Sequence, residues 1–407
     1  MKILVLNSGS SSQKIRLYEL GESLPVNAPS FLWEGTLEWG EKGASLVIRN
    51  AQGAQQKEHV DFFSRAAAID NLLQRLWKGE SPGVKSRGEI AIVGHRVVHG
   101  GPHFEEPVII TAEVRSAIAA VSAFAPLHNR AELEGIEIVE KLLGSVPQVA
   151  VFDTGFHRQM PLSSVIYPGP HEWFERGIHR YGFHGINHQY CAGRAAQLLN
   201  RDLPSLKLVT CHLGNGCSLA AVQGGKSVDT TMGFTPLEGL MMGTRSGSVD
   251  PGILTYLMRQ QHLSGEQLDD LLNKRSGLLG ISGLSEDMRV IISEMNKGTE
   301  RAKLAVEIYV HRLRAGIAAM SASMGGIDAL VFTAGVGENS PEIRGAACAN
   351  FEFLGLNLDA ALNRSPALDQ DIAAPDSLIR VLVIRAEEEW AIARSCWRLY
   401  AAAEGRQ

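Results

Sequence analysis

The chain has 407 residues, of which 45% are hydrophobic, so it can bury large cores and is neither disordered nor fibrous. Its 39 basic and 44 acidic residues give a net charge of −5, which argues against a nucleic-acid binder or a polybasic membrane binder. The five cysteines show no paired framework, and the N-terminal apolar run is too short for the core of a signal peptide. We therefore expect a soluble cytoplasmic protein with reduced thiols and no membrane span.

Short runs rich in valine and isoleucine alternate along the chain with segments of helical periodicity. The runs predict buried strands at Ile3–Leu6, Ile90–Val93, Val149–Phe152, Leu208–Cys211, Ala329–Phe332 and Val381–Ile384. The periodic segments predict helices at Asp61–Trp77, at Ala131–Leu143 after an N-cap at Asn129, and at Lys303–Met320. This alternation predicts an α/β fold with mostly central sheets.

Polar or glycine-rich turns follow the predicted strands. They comprise Asn7–Lys14, Gly94–Gly101, Asp153–His157, His212–Gly216, Thr333–Ser340 and Glu387–Glu389. In open α/β sheets, ligands bind beyond the carboxyl ends of the strands, so these turns predict one large polar ligand cleft.

A similar pattern occurs once in each half of the chain. A strand, a serine- or glycine-rich turn and a second apolar stretch occur at Ile3–Leu20 and again at Leu208–Val222. This repetition favours two related domains that face each other across a cleft.

Three of the turns have the composition of phosphate-binding loops. Backbone amides of Asn7–Ser12, with Lys14 nearby, can approach an anion closely, although an ordinary serine-rich hairpin would look the same. Gly214–Gly216 is either a phosphate-approaching turn or an Asn-Gly hairpin. We predict that Gly335–Ser340 is a loop that opens a helix at Pro341, where a nucleotide or anion can bind.

The candidate catalytic side chains are Arg96, His128, Asp153, His184, Arg245 and Glu388. An arginine flanked by small residues suits a guanidinium aimed at an oxyanion, although a structural ion pair is the alternative. His184 can donate to a phosphoryl group or be a packed loop residue, and His128 can instead be part of a helix cap. Strand-end carboxylates can hold Mg²⁺ with phosphate oxygens, or be solvated loop residues. Together these residues favour phosphoryl transfer to an acceptor that the residues alone leave open.

Nearly end to end, the chain resembles the acetate/propionate kinase family, a branch of the sugar kinase/Hsp70/actin superfamily. The resemblance rests on motifs at Asn7–Lys14, Gly94–Gly101, Pro126–Asn129, Phe152–Pro161, Arg180–His188, His212–Gly216, Met232–Arg245, Ser282–Arg289, Phe332–Arg344 and Glu387–Ala393. It implies two actin-like (ribonuclease H-like) domains with central mixed sheets flanked by helices and a cleft between them. Residues 1–150 with the returning segment 385–407 would form the N-terminal domain. Residues 151–384 would form the C-terminal domain, with the nucleotide and dimer contacts.

The same resemblance implies reversible, direct in-line transfer of the γ-phosphoryl group of ATP to acetate, giving acetyl phosphate and ADP. Mg²⁺ would be the cofactor, with Mn²⁺ as an alternative, and the protein would be a homodimer. Because acetate is already ionised at neutral pH, its attack on phosphorus needs no general base.

Site roles follow from the resemblance position by position. Arg96 and Arg245 would bind the carboxylate and the transferring phosphoryl group, His184 would stabilise that group with His128 nearby, and Asp153 would orient the acceptor or act with the metal. The acyl pocket would consist of Val98, Leu127, Phe183 and Pro236. The residues that would contact ATP are Lys14, His212, Leu213, Gly214, Asn215, Gly216, Asp287, Met288, Arg289, Gly335, Val336, Gly337, Glu338 and Asn339. Asn7 and Glu388 would serve the metal, with Glu387 or Glu389 as alternatives to Glu388, and Ser10 and Ser12 would contact phosphate or metal-bound water.

Two other functions remain open at this point. A propionate or butyrate kinase of the same family would differ in its acyl pocket, where propionate-preferring relatives tend to carry a residue smaller than Val98. A non-catalytic ATP-binding regulator or filament protein of the superfamily is the other alternative. The presence of Arg96, Arg245 and His184 argues against the second, since nucleotide binding alone needs no carboxylate clamp.

Overall fold

The computed structural model describes residues 1–9, 12–40, 43–62, 64–102, 104–123 and 129–405, without the side chains of residues 123 and 130. The chain divides into two compact units. The first consists of Met1–Gly155 with Glu387–Gln407, and the second of Phe156–Ala386.

A mixed sheet forms the centre of the first unit. Its strands are β1 (Lys2–Ser8), β2 (Ser12–Glu19), β3 (Trp33–Trp39), β4 (Ala44–Asn50), β5 (Gln55–Val60), β6 (Ile90–Val97), β7 (Val108–Ile109) and β8 (Gln148–Phe152). Across the described residues their order is β5-β4-β3-β2-β1-β6-β8-β7. Strands β1 to β5 pair antiparallel in sequence, whereas β1, β6 and β8 run parallel. The carboxyl ends of these three parallel strands therefore meet at one edge of the sheet.

Helices cover this sheet. They are α1 (Arg65–Lys78), α2 (Ala112–Ala120) and α3 (Asn129–Leu143). Leu72 and Leu76 of α1 and Val139 of α3 join one buried cluster with Leu4 and Trp33 of the sheet. Burying such apolar side chains is the main force that holds the helices on the sheet.

A second mixed sheet forms the centre of the second unit. Its strands are β9 (Lys207–Leu213), β10 (Cys217–Gln223), β11 (Lys226–Thr230), β12 (Ala329–Thr333), β13 (Gln370–Asp371) and β14 (Arg380–Val383), in the order β11-β10-β9-β12-β14-β13 among the described residues. Strands β9, β12 and β14 run parallel, while β9, β10 and β11 form an antiparallel meander. Both sheets thus place an antiparallel meander, of five strands in the first and three in the second, beside two further parallel strands.

The helices of the second unit are α4 (Leu162–Val165), α5 (Glu172–Glu175), α6 (Gly185–Leu199), α7 (Pro251–Gln260), α8 (Gly265–Lys274), α9 (Gly277–Ser282), α10 (Met288–Asn296), α11 (Glu300–Ser323), α12 (Ala334–Asn339), α13 (Pro341–Cys348) and α14 (Ala360–Arg364). The chain then returns to the first unit as α15 (Glu388–Ala403). Helix α15 packs so closely on β6 that a methyl group at Gly94 would lie 2.6 Å from Ile392 and from Cys396. Glycine is therefore required at position 94.

The prediction of an α/β fold built on mixed central sheets is confirmed, and each predicted strand overlaps an observed one. Some details were wrong. Helix α1 begins at Arg65 rather than at Asp61, because the Ser64 hydroxyl accepts the Ala67 amide and caps it. The predicted loop Gly335–Ser340 is mostly helix α12, which is closed by the Glu338 carboxylate accepting the Ala334 amide.

Among the described helices, none combines the length and apolar character needed to cross a bilayer. All five cysteines are buried, and none forms a disulfide bond.

Candidate active site

Arg96 and Asp153 form a buried ion pair where β6 and β8 end. Both Nε and Nη2 of Arg96 donate to Asp153 Oδ2, at 3.1 and 2.5 Å, and Arg96 Nη1 donates to Asn7 Oδ1 at 3.3 Å. The side chains of Arg96 and Asp153 are only 11% and 1% exposed. Burial alone would lower the pKa of Arg96, but Asp153, with Glu388 and Glu132 further away, raises it. The guanidinium is therefore held charged and in one orientation.

Three acidic residues, Glu387, Glu388 and Glu389, lie at the start of α15, and two of them pair with basic side chains of β2. Glu387 accepts from Arg16 at 3.1 Å, while Glu389 lies 3.2 Å from Arg16 and 3.3 Å from Lys14. Burial would raise the pKa of Glu389, but Lys14 and Arg16 hold it below its usual range. These two carboxylates therefore have a structural role in neutralising buried positive charge.

Glu388 differs from its neighbours. Its Oε2 accepts from Asn7 Nδ2 at 2.9 Å, and within the described residues no lysine, arginine or histidine lies in ion-pair contact with it. Asn7 also donates to Glu389 at 3.0 Å. Of the three acids, Glu388 is thus the one available to a metal ion.

These residues fit Mg²⁺ bound jointly with a phosphorylated substrate. Mg²⁺ in phosphoryl-transfer sites is usually held by one or two carboxylates, several waters and the substrate phosphates. In the part of the chain that the structure describes, no group of three or more histidine, cysteine, aspartate or glutamate residues is arranged to hold a metal by itself. Asn7 and Glu388 would therefore supply only part of the coordination shell.

The loop after β6 is fixed from the first turns of α3. The Asn129 side chain accepts from the His99 amide at 3.2 Å and donates to the His99 carbonyl at 3.1 Å. Glu132 Oε2 accepts from the Val98 amide at 3.1 Å. The predicted N-cap at Asn129 was wrong, because Asn129 is the first residue of α3 and its side chain bonds the His99 backbone instead of a helix amide. Glu132 was missed, although its position three residues further along places it on the same helix face.

Glu132 is a buried acid whose protonation depends strongly on its environment. Burial raises its pKa to about 8, against the opposing effects of the Val98 amide and Arg96, while Asp153 raises it further. Its Oε1 has no hydrogen-bond partner among the described residues. Glu132 therefore keeps its proton to a higher pH than an ordinary glutamate does.

This burial makes Glu132→Gln a stabilising change at high pH. An unfolded glutamate has a pKa of about 4.3, so between roughly pH 4 and 8 the folded protein binds a proton that the unfolded chain has released. Stability consequently falls as pH rises through this window, and the amide removes that fall. We expect Glu132→Gln to be more stable than wild type at pH 8 by about 1 kcal/mol or more, and to converge with it near pH 4.

Urea unfolding from pH 4 to 9 measures this difference. The control is Glu137→Gln, which changes an exposed acid of the same helix and should leave the pH profile unaltered. Parallel profiles for Glu132→Gln and wild type would contradict the assignment.

In the second unit, the predicted phosphate turn is the connection between β9 and β10. His212 and Leu213 end β9, and Leu213 pairs with Cys217 across the turn Gly214–Gly216. The turn is thus a hairpin, and its glycines, which lack side chains, still allow a phosphate group to approach the backbone closely.

His184 and Arg245 meet at Gly216. A methyl group at Gly216 would lie 3.4 Å from His184 Nε2 and 3.5 Å from Arg245 Nη1. Arg245 Nη1 also donates to the Pro236 carbonyl at 2.9 Å. His184 adopts the left-handed conformation, with φ of 57°, immediately before α6. A non-glycine residue held in this region marks a conformation that the surrounding structure imposes.

The other residues predicted to bind the nucleotide lie around the same hairpin. The Gly243 amide donates to the Asn215 carbonyl at 3.2 Å, and a methyl group at Gly243 would lie 3.2 Å from the carbonyl before Asp287. On the other side, a methyl group at Gly214 would lie 3.8 Å from Ala334, where α12 begins with Gly335, Val336, Gly337, Glu338 and Asn339. The predicted set within this unit is therefore brought together.

Asp287 caps α10 by accepting the Arg289 amide at 2.8 Å. Arg289 also pairs with its carboxylate at 2.6 Å, which lowers the pKa of Asp287. Met288 is buried, whereas the Arg289 side chain is 89% exposed. Arg289 is thus directed by Asp287 and accessible to a ligand.

The residues predicted to line the acyl pocket belong to different units. Val98 belongs to the first unit, and Phe183 and Pro236 belong to the second; Val98 and Phe183 are buried. Leu127, His128 and Ser10 lie outside the described residues.

A chain of buried polar side chains behind His184 was missed by the sequence analysis. Ser218 Oγ lies 2.9 Å from His184 Nδ1 and 2.7 Å from His188 Nε2, and His188 Nδ1 lies 2.7 Å from Thr210 Oγ1. The spacing of His184 and His188, four residues apart at the start of a helix, was a usable signal. The strand register that brings Ser218 and Thr210 to them was not.

The sequence pattern described as the acetokinase family matches residues 2–394 of this chain. The chain belongs to the acetokinase family. The family predicted from the sequence is therefore confirmed.

Relatives of this acetokinase family member match it over nearly its whole length. It is 58% identical over 401 residues to an acetate kinase from Cyanothece sp., covering 98% of both chains. It is 56% identical over 402 residues to an acetate kinase from Gloeobacter violaceus, covering 98% of this chain and 99% of the relative.

Solved structures agree with the family assignment. The Porphyromonas gingivalis acetate kinase superposes with a TM-score of 0.88 at 40% identity, and a Francisella tularensis propionate kinase superposes with 0.88 at 38% identity. Each comparison covers 98% of this chain and 99% of the solved one. Because the two TM-scores are equal, backbone similarity does not distinguish acetate from propionate.

Proposed function

We propose that this protein is an acetate kinase that reversibly transfers the γ-phosphoryl group of ATP to acetate, giving acetyl phosphate and ADP. One observation carries the proposal. In a chain 58% identical to an acetate kinase, a buried arginine is locked by Asp153 at the carboxyl ends of parallel strands, with its charge retained. Such a guanidinium suits a small carboxylate substrate.

The first unit would bind the acceptor. Arg96 would pair with the acetate carboxylate, and Asp153 would keep the guanidinium in the orientation that this pairing needs. Since acetate is ionised at neutral pH, its oxygen attacks phosphorus directly and no side chain has to remove a proton. The contribution of this unit is positioning rather than acid–base chemistry.

The second unit would bind the nucleotide and the transferring group. Arg245, and His184 in its imidazolium form, would donate to the phosphoryl oxygens, on which negative charge is spread in the transition state. The Gly214–Gly216 turn would approach the phosphates, while Asp287, Arg289 and the start of α12 would hold the adenosine side.

Asn7 and Glu388 would hold Mg²⁺ or Mn²⁺, directly or through bound water. When bound, the ion would neutralise charge on the ATP phosphates. Lys14 would add a point charge beside them, although its pair with Glu389 also gives it a structural role.

Acyl preference is proposed to depend on Val98. Its side chain is buried and its backbone is fixed by Glu132, so Val98→Ala should enlarge the pocket rather than collapse it. We expect the ratio of kcat/KM for propionate to that for acetate to rise about 5- to 100-fold, because one methylene in an apolar pocket is worth roughly 1–3 kcal/mol.

Steady-state kinetics with acetate, propionate and butyrate measures this ratio. Val139→Ala, which truncates a buried valine of the α3 core, is the control and should leave the ratio unchanged. An unchanged ratio in Val98→Ala would remove Val98 from the pocket.

A propionate kinase is the second candidate, favoured by the similarity to the solved propionate kinase. The wild-type comparison of the three acids decides between the two. A higher kcat/KM for propionate than for acetate would replace the acetate assignment.

A hydroxamate assay with ATP, Mg²⁺ and acetate tests the proposed reaction. We expect acetyl hydroxamate that requires all three components. ATP binding without acetyl phosphate would instead indicate a regulator of the same superfamily.

We further propose a cytoplasmic homodimer assembled through the second unit. Helix α7 supports this, because Ile253, Tyr256 and Met258 are about half exposed and none of its residues is buried. Light scattering of the full chain should give the mass of a dimer, and a monomer mass at micromolar concentration would contradict the proposal.

A further inference from the structure

A chain of hydrogen bonds runs from His184 to a backbone carbonyl of β10. It passes from His184 Nδ1 to Ser218 Oγ, then through both ring nitrogens of His188 to Thr210, whose hydroxyl donates to the Ala220 carbonyl at 3.4 Å. Ser218, His188 and Thr210 are fully buried.

The carbonyl at the far end sets the direction of every donor. The Ala220 carbonyl only accepts, so it takes the single hydroxyl proton of Thr210. With that proton directed at the carbonyl, Thr210 accepts from His188 at 2.7 Å, which places a proton on His188 Nδ1. The reverse order, in which Thr210 donates to His188, would give the opposite His184 tautomer and is the outcome that the measurement below distinguishes.

His188 transmits this direction because its ring stays neutral. Burial, followed by the neighbouring His157 and His212, holds its pKa well below the ordinary value. A neutral imidazole carries one N–H, so His188 Nε2 accepts the Ser218 hydroxyl proton. The Ser218 oxygen is then left to accept from His184 Nδ1.

We propose that Ser218, His188 and Thr210 are positioning residues that fix His184 as the Nδ1–H tautomer. His184 Nε2, which lies near Gly216 as Arg245 Nη1 does, is then the nitrogen that carries no proton in the neutral ring. The tautomer follows from the hydrogen bonds alone, and only its use on a phosphoryl group rests on the proposed function.

The His212 ring, which stacks on His184, is held as the opposite tautomer. His212 lies 4.0 Å from His184 between ring centroids, with an interplanar angle of 14°. Asn187 Nδ2, which can only donate, lies 2.8 Å from His212 Nδ1, so a neutral His212 carries its proton on Nε2. Neutral His212 therefore offers a donor, whereas His184 offers one at Nε2 only as an imidazolium.

Nitrogen-15 NMR of the histidine rings reads these tautomers directly. In full-length protein at alkaline pH, where the rings are neutral, we expect protonated Nδ1 in His184 and protonated Nε2 in His212. Protonated Nε2 in wild-type His184 would overturn the proposal.

Ser218→Ala removes the hydroxyl that contacts His184 and so interrupts the chain of hydrogen bonds. We expect a mixture of His184 tautomers and a 10- to 100-fold lower kcat, which is about the effect of losing the group that orients a functional histidine, with little change in KM for ATP. A pure Nδ1–H signal in this variant would overturn the proposal.

Thr210→Val tests the chain from its far end with a nearly isosteric change. His188 Nδ1 then loses its acceptor, and the His184 tautomer should become mixed although no neighbour of His184 has changed. Retention of pure Nδ1–H in Thr210→Val would show that Thr210 and His188 do not set the tautomer, and would overturn the proposal as well.

Ser227→Ala is the matched control. It removes an equally buried serine hydroxyl that bonds His157 at 2.7 Å, and the His184 spectrum should stay unchanged. If wild type shows the expected tautomers but makes no acetyl phosphate, the proposed function fails while the tautomer assignment stands.

Discussion

Replacing Arg96 by alanine should lower kcat by about a thousandfold while KM for ATP changes little. Arginines that neutralise charge in phosphoryl transfer contribute roughly 10³ to 10⁵ in kcat. Here the guanidinium is also pre-oriented by two bonds to Asp153, an orientation that alanine removes together with the charge. Arg96→Lys should lose most of this activity as well, because an ammonium lacks the planar fork.

Two further variants separate catalysis from stability. Arg115→Ala breaks an exposed pair with Glu140 in the same unit and should keep full activity. Arg96→Ala leaves the Asp153 charge buried without its partner, whereas Arg96→Ala with Asp153→Asn does not. If the double variant regained wild-type turnover, the loss in Arg96→Ala would be one of stability, and Arg96 would not bind acetate.

Glu388→Gln should raise the Mg²⁺ concentration for half-maximal activity by about 10-fold or more, with little change in the free energy of unfolding. The expected size is that of weakening a metal site by removing one of its few protein ligands. Stability should change little because Glu388 lies in ion-pair contact with no cation among the described residues.

Glu389→Gln is the matched comparison, one residue along the same helix. It removes a buried carboxylate that faces Arg16 and Lys14, so it should lower stability by about 2 kcal/mol or more. Its Mg²⁺ dependence, measured on the folded fraction, should resemble that of wild type. A larger Mg²⁺ shift in Glu389→Gln than in Glu388→Gln would transfer the metal role to Glu389.

The sheets were predictable because their signals are local. Runs such as Ile3–Leu6 and Ala329–Phe332 are too apolar and too short to be anything but buried strands, and polar turns mark their ends. The prediction of a loop at Gly335–Ser340 was wrong because the signal for a helix there, although also local, is weak. Glu338 closes a helical turn onto the Ala334 amide, and glycine content alone concealed it.

The partners of the site residues were not predictable in the same way. Glu387, Glu388 and Glu389 look equivalent in sequence, and they differ only because Lys14 and Arg16 approach from a strand more than 370 residues earlier. Ser218 and Thr210 reach His188 through the register of β9 and β10, which no single stretch of sequence specifies.

Acetate labelled with ¹⁸O in its carboxylate tests most directly the central claim that an acetate oxygen attacks phosphorus. Incubation with ATP and Mg²⁺, followed by ³¹P NMR, should show acetyl phosphate whose bridging oxygen carries the label, since an acetate oxygen attacks phosphorus. The absence of acetyl phosphate, or a bridge without the label, would contradict this account.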